Sequence, residues 1–287
     1  MELTVISGKG GTGKTTVARG LAALSHAPVL ADCDVDAPNL SLFFGGEDIE
    51  REPFFGADKA TVDVSRCTKC GSCTKVCRFQ AIVDGCVDRL RCEGCGACTL
   101  ICDYGAISME QQKTADNIVT RHQSGRLLRA EMEIGSEGTG KLVTALRKKA
   151  SDQKSGLVII DGSPGVGCPV IASITATDIV LIVTEPTQSG RDDLLRVAQL
   201  CAHFGVTTLV CINKYDINES MTQAIKQHCH DNGISVVGII PYDESVVKAV
   251  NELRPITEDV NSAAGKAISS LWTNIQPYLA ADKTERR

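Results

Sequence analysis

The sequence predicts an α/β protein in which a mainly parallel sheet, covered by helices on both faces, is interrupted by an inserted module. Apolar runs of strand length recur along the chain and alternate with helix-type stretches. A segment rich in cysteine and glycine, residues 56–108, breaks this alternation. A glycine-rich loop joins the first predicted strand to the first helix. We therefore predict a main domain formed by residues 1–55 and 109–287, with residues 56–108 inserted as a second domain.

Six apolar runs predict the strands of the main sheet, because parallel strands covered on both faces read as continuous apolar segments. These runs are residues 3–6, 29–31, 157–160, 179–183, 208–212 and 236–240. A helix is predicted over residues 140–150. The segment 117–134 predicts two further strands that meet at Ser124-Gly125 and return the chain to the main sheet.

Composition and charge limit which classes of protein and partner are compatible with the sequence. The chain has 287 residues, a net charge of −5 and only 4% aromatic residues, which argues against a nucleic-acid partner. The sequence shows no leader pattern and no apolar run long enough to cross a bilayer, so we expect a cytoplasmic protein. The helical segment "GKAISSLWTNIQPYL" is expected to pack on the domain and to be interrupted at Pro277.

The loop "GKGGTGKTT" predicts a phosphate-binding site. It follows a strand and precedes a helix, which is the context that the GxxxxGK[ST] pattern requires. Lys14 is expected to reach the β- and γ-phosphates, and Thr15 to bind Mg²⁺. The alternative is a glycine-rich turn that only joins strand to helix. The residues expected to bind the nucleotide here are Gly10, Gly11, Thr12, Gly13, Lys14, Thr15 and Thr16.

Carboxylates follow two other predicted strands. Asp34 lies in "LADCDVDAPNL" after the second strand, and Asp161 ends the strand in "LVIIDGSPG". Because α/β sheets place their sites at the carboxyl ends of strands, Asp161 is expected to bind Mg²⁺, and Asp34 to orient water or to hold Mg²⁺. For either residue alone, a helix cap or a turn would be the ordinary role.

Two cysteine runs predict iron-sulfur clusters. Each has the spacing CxxCxxCxxxC, which resembles that of bacterial two-cluster ferredoxins. In that pattern each [4Fe–4S] cluster takes three cysteines from one run and the last cysteine of the other. The resemblance implies one set of Cys67, Cys70, Cys73 and Cys102, and a second set of Cys92, Cys95, Cys98 and Cys77. Structural zinc is the alternative, since CxxC pairs also suit tetrahedral sites.

The other cysteines are expected to be structural. Cys86 lies between the runs and is predicted to be a buried thiol, and Cys168 is predicted to be structural, with a metal-ligand role as the alternative. Four more are predicted in the core: Cys33, Cys201, Cys211 and Cys229. The proline that usually ends each ferredoxin run is replaced by Arg78 and Asp103.

Lys9 adds a second lysine to the phosphate loop, and "KGGTGKT" resembles the loop of the MinD/ParA/Mrp and nitrogenase iron protein superfamily. The whole chain looks like members of that superfamily with an inserted ferredoxin domain. The resemblance implies a nucleotide-dependent homodimer, or a dimer with a similar paralogue, in which Lys9 reaches the partner's nucleotide. Asp32, Asp34 and Asn39 match the family's DxD…N pattern, with Asp34 positioning the attacking water.

The base that the site binds remains open between two alternatives. "INKYD", residues 212–216, fits the guanine-reading NKxD motif of GTPases. The resemblance instead implies that Asn213 contacts adenine, with Pro241 in the same pocket, so ATP or ADP is expected. Asp216 could then cap the helix that is predicted to begin near Asn218.

The expected function is an ATPase that couples its nucleotide state to electron transfer or to metallocluster handling on a redox or metallocluster partner protein. Its expected cofactors are ATP or ADP, Mg²⁺ and two [4Fe–4S] clusters. One alternative is a MinD-like spatial regulator in which the clusters are structural. The other is an ATPase that assembles or carries iron-sulfur clusters.

Overall fold

The structure is a computed structural model that describes residues 1–25, 29–123, 125–136, 138–153 and 155–280. The chain divides into two compact units. The larger unit comprises Met1–Arg51, Asn117–Ala130 and Thr139–Arg287. The smaller unit, called here the cysteine unit, comprises Glu52–Asp116 and Glu131–Gly138. It contains the segment 56–108 and extends beyond it on both sides.

The strands are β1 (Glu2–Ser7), β2 (Val29–Cys33), β3 (Glu47–Val62), β4 (Ile82–Val83), β5 (Cys86–Val87), β6 (Ile107–His122), β7 (Gly125–Met132), β8 (Val158–Pro164), β9 (Ile179–Thr184), β10 (Thr207–Asn213) and β11 (Ser235–Ile240). The helices are α1 (Lys14–Leu24), α2 (Leu40–Phe43), α3 (Ser72–Val76), α4 (Ala97–Leu100), α5 (Thr139–Ser151), α6 (Cys168–Ile174), α7 (Gln188–His203), α8 (Glu219–Asp231), α9 (Ser245–Asn251) and α10 (Ala263–Ala280).

The main sheet has the order β11-β10-β9-β1-β8-β2-β7-β6-β3. The pairs β1–β8, β1–β9, β2–β8, β2–β7, β9–β10 and β10–β11 are parallel. All six apolar runs are strands of this sheet, as predicted. The two strands predicted in 117–134 are neighbours, β6 and β7, while Ser124 lies outside the described residues.

Helices cover both faces of the sheet, which explains why its strands are apolar throughout. Successive side chains of β9 alternate between the two cores: Leu181 packs with α1 and α10 on one face, whereas Ile182 packs with α6, α7 and α8 on the other. The parallel strands therefore present their carboxyl ends, and the loops that follow them, at one edge of the sheet.

Three predictions about local structure are wrong. Helix α10 continues through Pro277, because this residue lies in the last turn, where burial of Leu271 and Ile275 holds the preceding turns in place. Cys86 is exposed on the short strand β5 and not buried. Strand β8 continues past Asp161 to Pro164, so Asp161 does not end its strand. The inserted segment also contains part of the 16-residue strand β3, of which few residues are buried.

The predicted core cysteines are confirmed, since Cys33, Cys201, Cys211 and Cys229 are all buried. Within the residues that the structure describes, no helix combines the length and the hydropathy needed to cross a bilayer.

Candidate functional site

The phosphate loop connects β1 to α1 through two glycines in left-handed backbone conformations. Gly11 has φ 79° and Gly13, which precedes the first residue of α1, has φ 89°. A side chain at Gly13 would also place its Cβ 2.3 Å from Nδ2 of Asn213. Only glycine combines this backbone conformation with such a close approach. The loop is therefore shaped by contact with the end of β10 as well as by its own sequence.

Lys14 lies at the centre of a group of carboxylates. Its ammonium nitrogen is 2.6 Å from Oδ1 of Asp161 and 3.2 Å from Oδ2 of Asp34. Thr15 donates a hydrogen bond from Oγ1 to Oδ2 of Asp161 (2.7 Å). Burial alone would lower the pKa of Lys14, but the two carboxylates outweigh it and raise the pKa. Lys14 therefore carries a full positive charge at neutral pH.

Asp32 holds the loop after β2 through hydrogen bonds to its backbone. It is fully buried, and it accepts hydrogen bonds from the backbone N–H groups of Leu40 (2.9 Å) and Asp34 (3.3 Å). Burial, together with the neighbouring charge of Asp161, raises the pKa of Asp32 to about 7. The same two influences, with burial the larger, raise the pKa of Asp34 against the opposing effect of Lys14. Asn39 lies just before α2 and donates to the Ala37 carbonyl.

Lys9 is held by residues that follow β9. Its ammonium nitrogen lies 3.1 Å from Ser189 Oγ, 3.3 Å from Thr187 Oγ1 and 3.7 Å from Oε2 of Glu185. Glu185 also pairs with Lys214 at 2.5 Å. Sequence analysis did not identify these partners. Their position directly after an apolar strand could have indicated that they lie at the site, because α/β sheets place their sites at the carboxyl ends of strands.

A cavity beside the phosphate loop brings together the residues expected to hold the base. Gly11, Gly13 and Thr16 line it, together with Asn213 and Pro241. Asn213 donates from Nδ2 to the Thr12 carbonyl (2.8 Å), so the end of β10 is tied to the phosphate loop. The side chain of Tyr242, which sequence analysis did not single out, also lines the cavity and is 52% exposed.

Asp216 does not cap a helix, so that prediction is wrong. The N-terminal residue of α8 is capped by Asn218, whose side chain accepts a hydrogen bond from the N–H of Met221 (3.0 Å). Asp216 lies two residues earlier, in a short 3₁₀ turn, and accepts a hydrogen bond from the N–H of Tyr242 (2.7 Å).

Two small cavities in the cysteine unit are each lined by four cysteines. One cavity is lined by Cys67, Cys70, Cys73 and Cys102. The other is lined by Cys77, Cys92, Cys95 and Cys98. Alternate residues of β3 and β6 also line the two cavities: Val62 and Ile107 line the first, and Ala60 and Met109 line the second.

Backbone N–H groups approach the sulfurs in these cavities. Ala81 donates to Cys77 Sγ and Ala106 to Cys102 Sγ, each at 3.3 Å. Among the described residues, no three His, Cys, Asp or Glu side chains converge on a point where a single metal ion could bind. A four-iron cluster has one thiolate at each iron, so its ligands surround a cavity and do not share one point. Cys168 is exposed at the start of α6.

The parallel sheet, the glycine-rich loop after β1 and the buried lysine paired with an aspartate of β8 define a P-loop nucleotide-binding protein. The sequence model of the CobQ/CobB/MinD/ParA nucleotide binding domain matches residues 3–256. This chain belongs to that family, and it is a P-loop ATPase of the MinD/ParA group.

The comparisons with individual proteins agree with this assignment. An uncharacterised protein of Methanocaldococcus jannaschii is 34% identical, over 97% of this chain and 98% of that protein. An uncharacterised ATP-binding protein of the same organism is 27% identical, over 94% of this chain and 96% of that protein. The structure of the septum site-determining protein MinD from Pyrococcus horikoshii, in complex with Mg-ADP, matches with a TM-score of 0.61 and 18% identity over 99% of this chain and 96% of that one.

Proposed function

We propose that this protein is an ATP-hydrolysing iron-sulfur protein that couples its nucleotide state to electron transfer, or to metallocluster handling, on a partner protein. The observation that carries the proposal is the composition of the two cavities in the cysteine unit. Each is lined by three cysteines of one run and the last cysteine of the other. This is the ligand partition of a two-cluster bacterial ferredoxin. We therefore assign the inserted segment, residues 56–108, as a ferredoxin-type domain.

The residues around the cavities suit [4Fe–4S] clusters. Both donor sets consist of thiolates alone, and backbone N–H groups are directed at their sulfurs. Gly94 has φ 63°, and a Cβ there would lie 2.2 Å from the Asp58 carbonyl oxygen. The second ligand loop can therefore fold closely only with glycine at this position. Such clusters supply one-electron redox chemistry, and thiols are retained in a reducing cytoplasm, where we place the protein.

The phosphate loop supplies what ATP hydrolysis requires. Lys14 is charged and is the first residue of α1, directly after the glycine-rich loop, so it suits the β- and γ-phosphates. Thr15 and Asp161 are hydrogen-bonded to each other and provide oxygen ligands for Mg²⁺. Asp34, also adjacent to Lys14, orients the attacking water. The MinD relative that binds Mg-ADP has the same fold. Catalysis is then positioning and electrostatic stabilisation.

We further propose that the active form is a dimer around the nucleotide, formed with a second copy or with a similar paralogue. Lys9 is held in its own chain by uncharged hydroxyls at hydrogen-bond distance, and by Glu185 at the longer distance of 3.7 Å. If Lys9 left these weak contacts and bound the phosphates of a partner's nucleotide, it would form charge-assisted hydrogen bonds instead. The net charge of −5 does not suit a nucleic acid as partner.

Two other functions have some support. Structural likeness to MinD favours a spatial regulator in which the clusters are structural. Exposure of one cysteine in each set, Cys70 and Cys95, favours a cluster carrier, because a transferred cluster must be reached from solvent.

The cluster assignment is tested by anaerobic purification, followed by iron and sulfide analysis and EPR of the reduced protein. We expect about eight iron and about eight sulfide per chain, as two four-iron clusters require. Cys86→Ser is the matched control, since this exposed cysteine is outside both sets, and it should leave the counts unchanged. Bound zinc without sulfide would contradict the assignment.

A further inference from the structure

We propose that Asp216 is a positioning residue that fixes the wall of the base cavity through the backbone of Tyr242, and that its carboxylate does not read the base. This inference rests on the nucleotide site proposed above and names how that site selects its base. Asp216 is the aspartate of the segment that fits the guanine-reading NKxD motif.

The direction of the Asp216 side chain is the first observation. Oδ1 accepts the Tyr242 N–H at 2.7 Å, a contact between residues 26 positions apart in the chain. The described residues that line the cavity include Asn213, Lys214 and Tyr242 but not Asp216. A carboxylate that reads guanine accepts hydrogen bonds from two donors of the same ring edge. One oxygen of Asp216 already accepts a backbone N–H, and the residue does not line the cavity.

A second carboxylate anchors the other side of the same wall. Asp243 accepts hydrogen bonds from the N–H of Ala264 (3.0 Å) and from Ser262 Oγ (2.7 Å), both at the start of α10. It also accepts from the N–H of Ser245 (2.9 Å). Burial opposes the charged form, but these hydrogen bonds outweigh it and lower the pKa of Asp243. The wall is thus held from the β10 side by Asp216 and from the α10 side by Asp243.

The side chain between the two anchors is aromatic. Tyr242 lines the cavity, and its half-exposed ring can present a face to a purine. A charge-assisted hydrogen bond to its N–H fixes the backbone from which the ring projects. Selection between adenine and guanine then depends on the shape of this wall and not on the Asp216 carboxylate, and we expect the native protein to use ATP.

Two substitutions separate positioning from base reading. Asp216→Asn keeps a carbonyl oxygen that can accept the Tyr242 N–H, whereas Asp216→Ala removes the acceptor. Glu219→Ala is the matched control, because Glu219 is an exposed carboxylate in the first turn of α8 near Asp216. The experiment measures kcat and KM for ATP, GTP and xanthosine triphosphate with the full chain, and thermal unfolding of each variant.

We expect Asp216→Ala to raise the KM for ATP about tenfold while kcat changes less than about twofold, as loss of one hydrogen bond to a charged group predicts. Asp216→Asn should restore the native KM and the native ratio of ATP to GTP use. A native KM in the Ala variant would overturn the proposal. If the Ala variant does not fold, the Asn variant decides the question.

If Asp216 reads the base, the native protein should prefer GTP. Asp216→Asn should then reduce that preference on the order of 100-fold and make xanthosine triphosphate a substrate. This result would overturn the inference. A native protein that hydrolyses no nucleoside triphosphate would overturn the proposed nucleotide site itself, which is a distinguishable failure.

Discussion

The ammonium nitrogen of Lys14 lies 2.6 Å from Oδ1 of Asp161, so a buried ion pair joins the start of α1 to β8. Asp161 is paired in register with Asp32 on the neighbouring strand β2. Two carboxylates therefore share one buried region, with Lys14 as their cationic neighbour. This arrangement determines which carboxylate keeps its proton near neutral pH.

Asp32 should make the protein less stable as pH rises. Its pKa is about 7 in the folded protein, above the ordinary value of 3.8, so the folded state holds the proton longer than the unfolded state. The contribution of Asp32 to the free energy of unfolding is therefore largest below about pH 4. It decreases by about 4 kcal/mol in total as the pH rises to about 7. Asp32→Asn should remove this decrease.

The measurement is urea unfolding of the native protein and of Asp32→Asn at several pH values from 5 to 8, where the curves should converge or cross as pH rises. Asp36→Asn, at an exposed position, is the control and should follow the native protein. Parallel curves for native protein and Asp32→Asn would contradict the prediction.

Gly13→Ala should destabilise the protein and weaken nucleotide binding. The new Cβ would lie 2.3 Å from Asn213 Nδ2, at a backbone φ of 89°, so Asn213 must move away from the Thr12 carbonyl. We expect a loss of about 1–3 kcal/mol in the free energy of unfolding without nucleotide. Gly10→Ala is the control, because its Cβ would meet nothing within 4 Å, and it should be nearly neutral in the same measurement. Equal effects in both variants would show that the contact with Asn213 is unimportant.

Lys9 and Lys14 should complement each other between subunits. Lys9→Ala and Lys14→Ala should each lower ATP hydrolysis on the order of 100-fold, because in the proposed mechanism both residues stabilise charge in the transition state. In a mixed dimer, the site with an intact Lys14 receives Lys9 from the other subunit, so mixing the two variants should recover activity. A mixture that forms mixed dimers without recovered activity would place the role of Lys9 within its own subunit.

The partition of the cysteines predicts which pairs of substitutions remove one cluster and which remove two. Cys77 and Cys92 line the same cavity, so Cys77→Ser with Cys92→Ser should lose about four iron per chain. Cys67 lines the other cavity, so Cys77→Ser with Cys67→Ser should lose about eight. Equal losses in the two double variants would contradict the partition.

The sequence predicted the strands of the main sheet because they are apolar on both faces, and it placed Lys14 and Asp161 at one edge because strand ends meet there. It did not reveal the exposed part of β3, because residues that face solvent on both sides of a strand leave no alternating pattern. The contacts of Lys9 with Glu185, and of Asp216 with Tyr242, join segments distant in the chain. Local sequence contains no signal for such contacts.

The central claim is that nucleotide and clusters are coupled, and the most direct test is the reduction potential of the clusters measured anaerobically by EPR-monitored titration. The potential is recorded with ADP, with ATP and with ATP in the Lys14→Ala variant. We predict a shift between ADP and ATP, and no shift in the variant, because the proposed nucleotide site requires Lys14. Intact clusters whose potential and EPR spectrum are the same in all three samples would contradict the claim and would favour a spatial regulator with structural clusters.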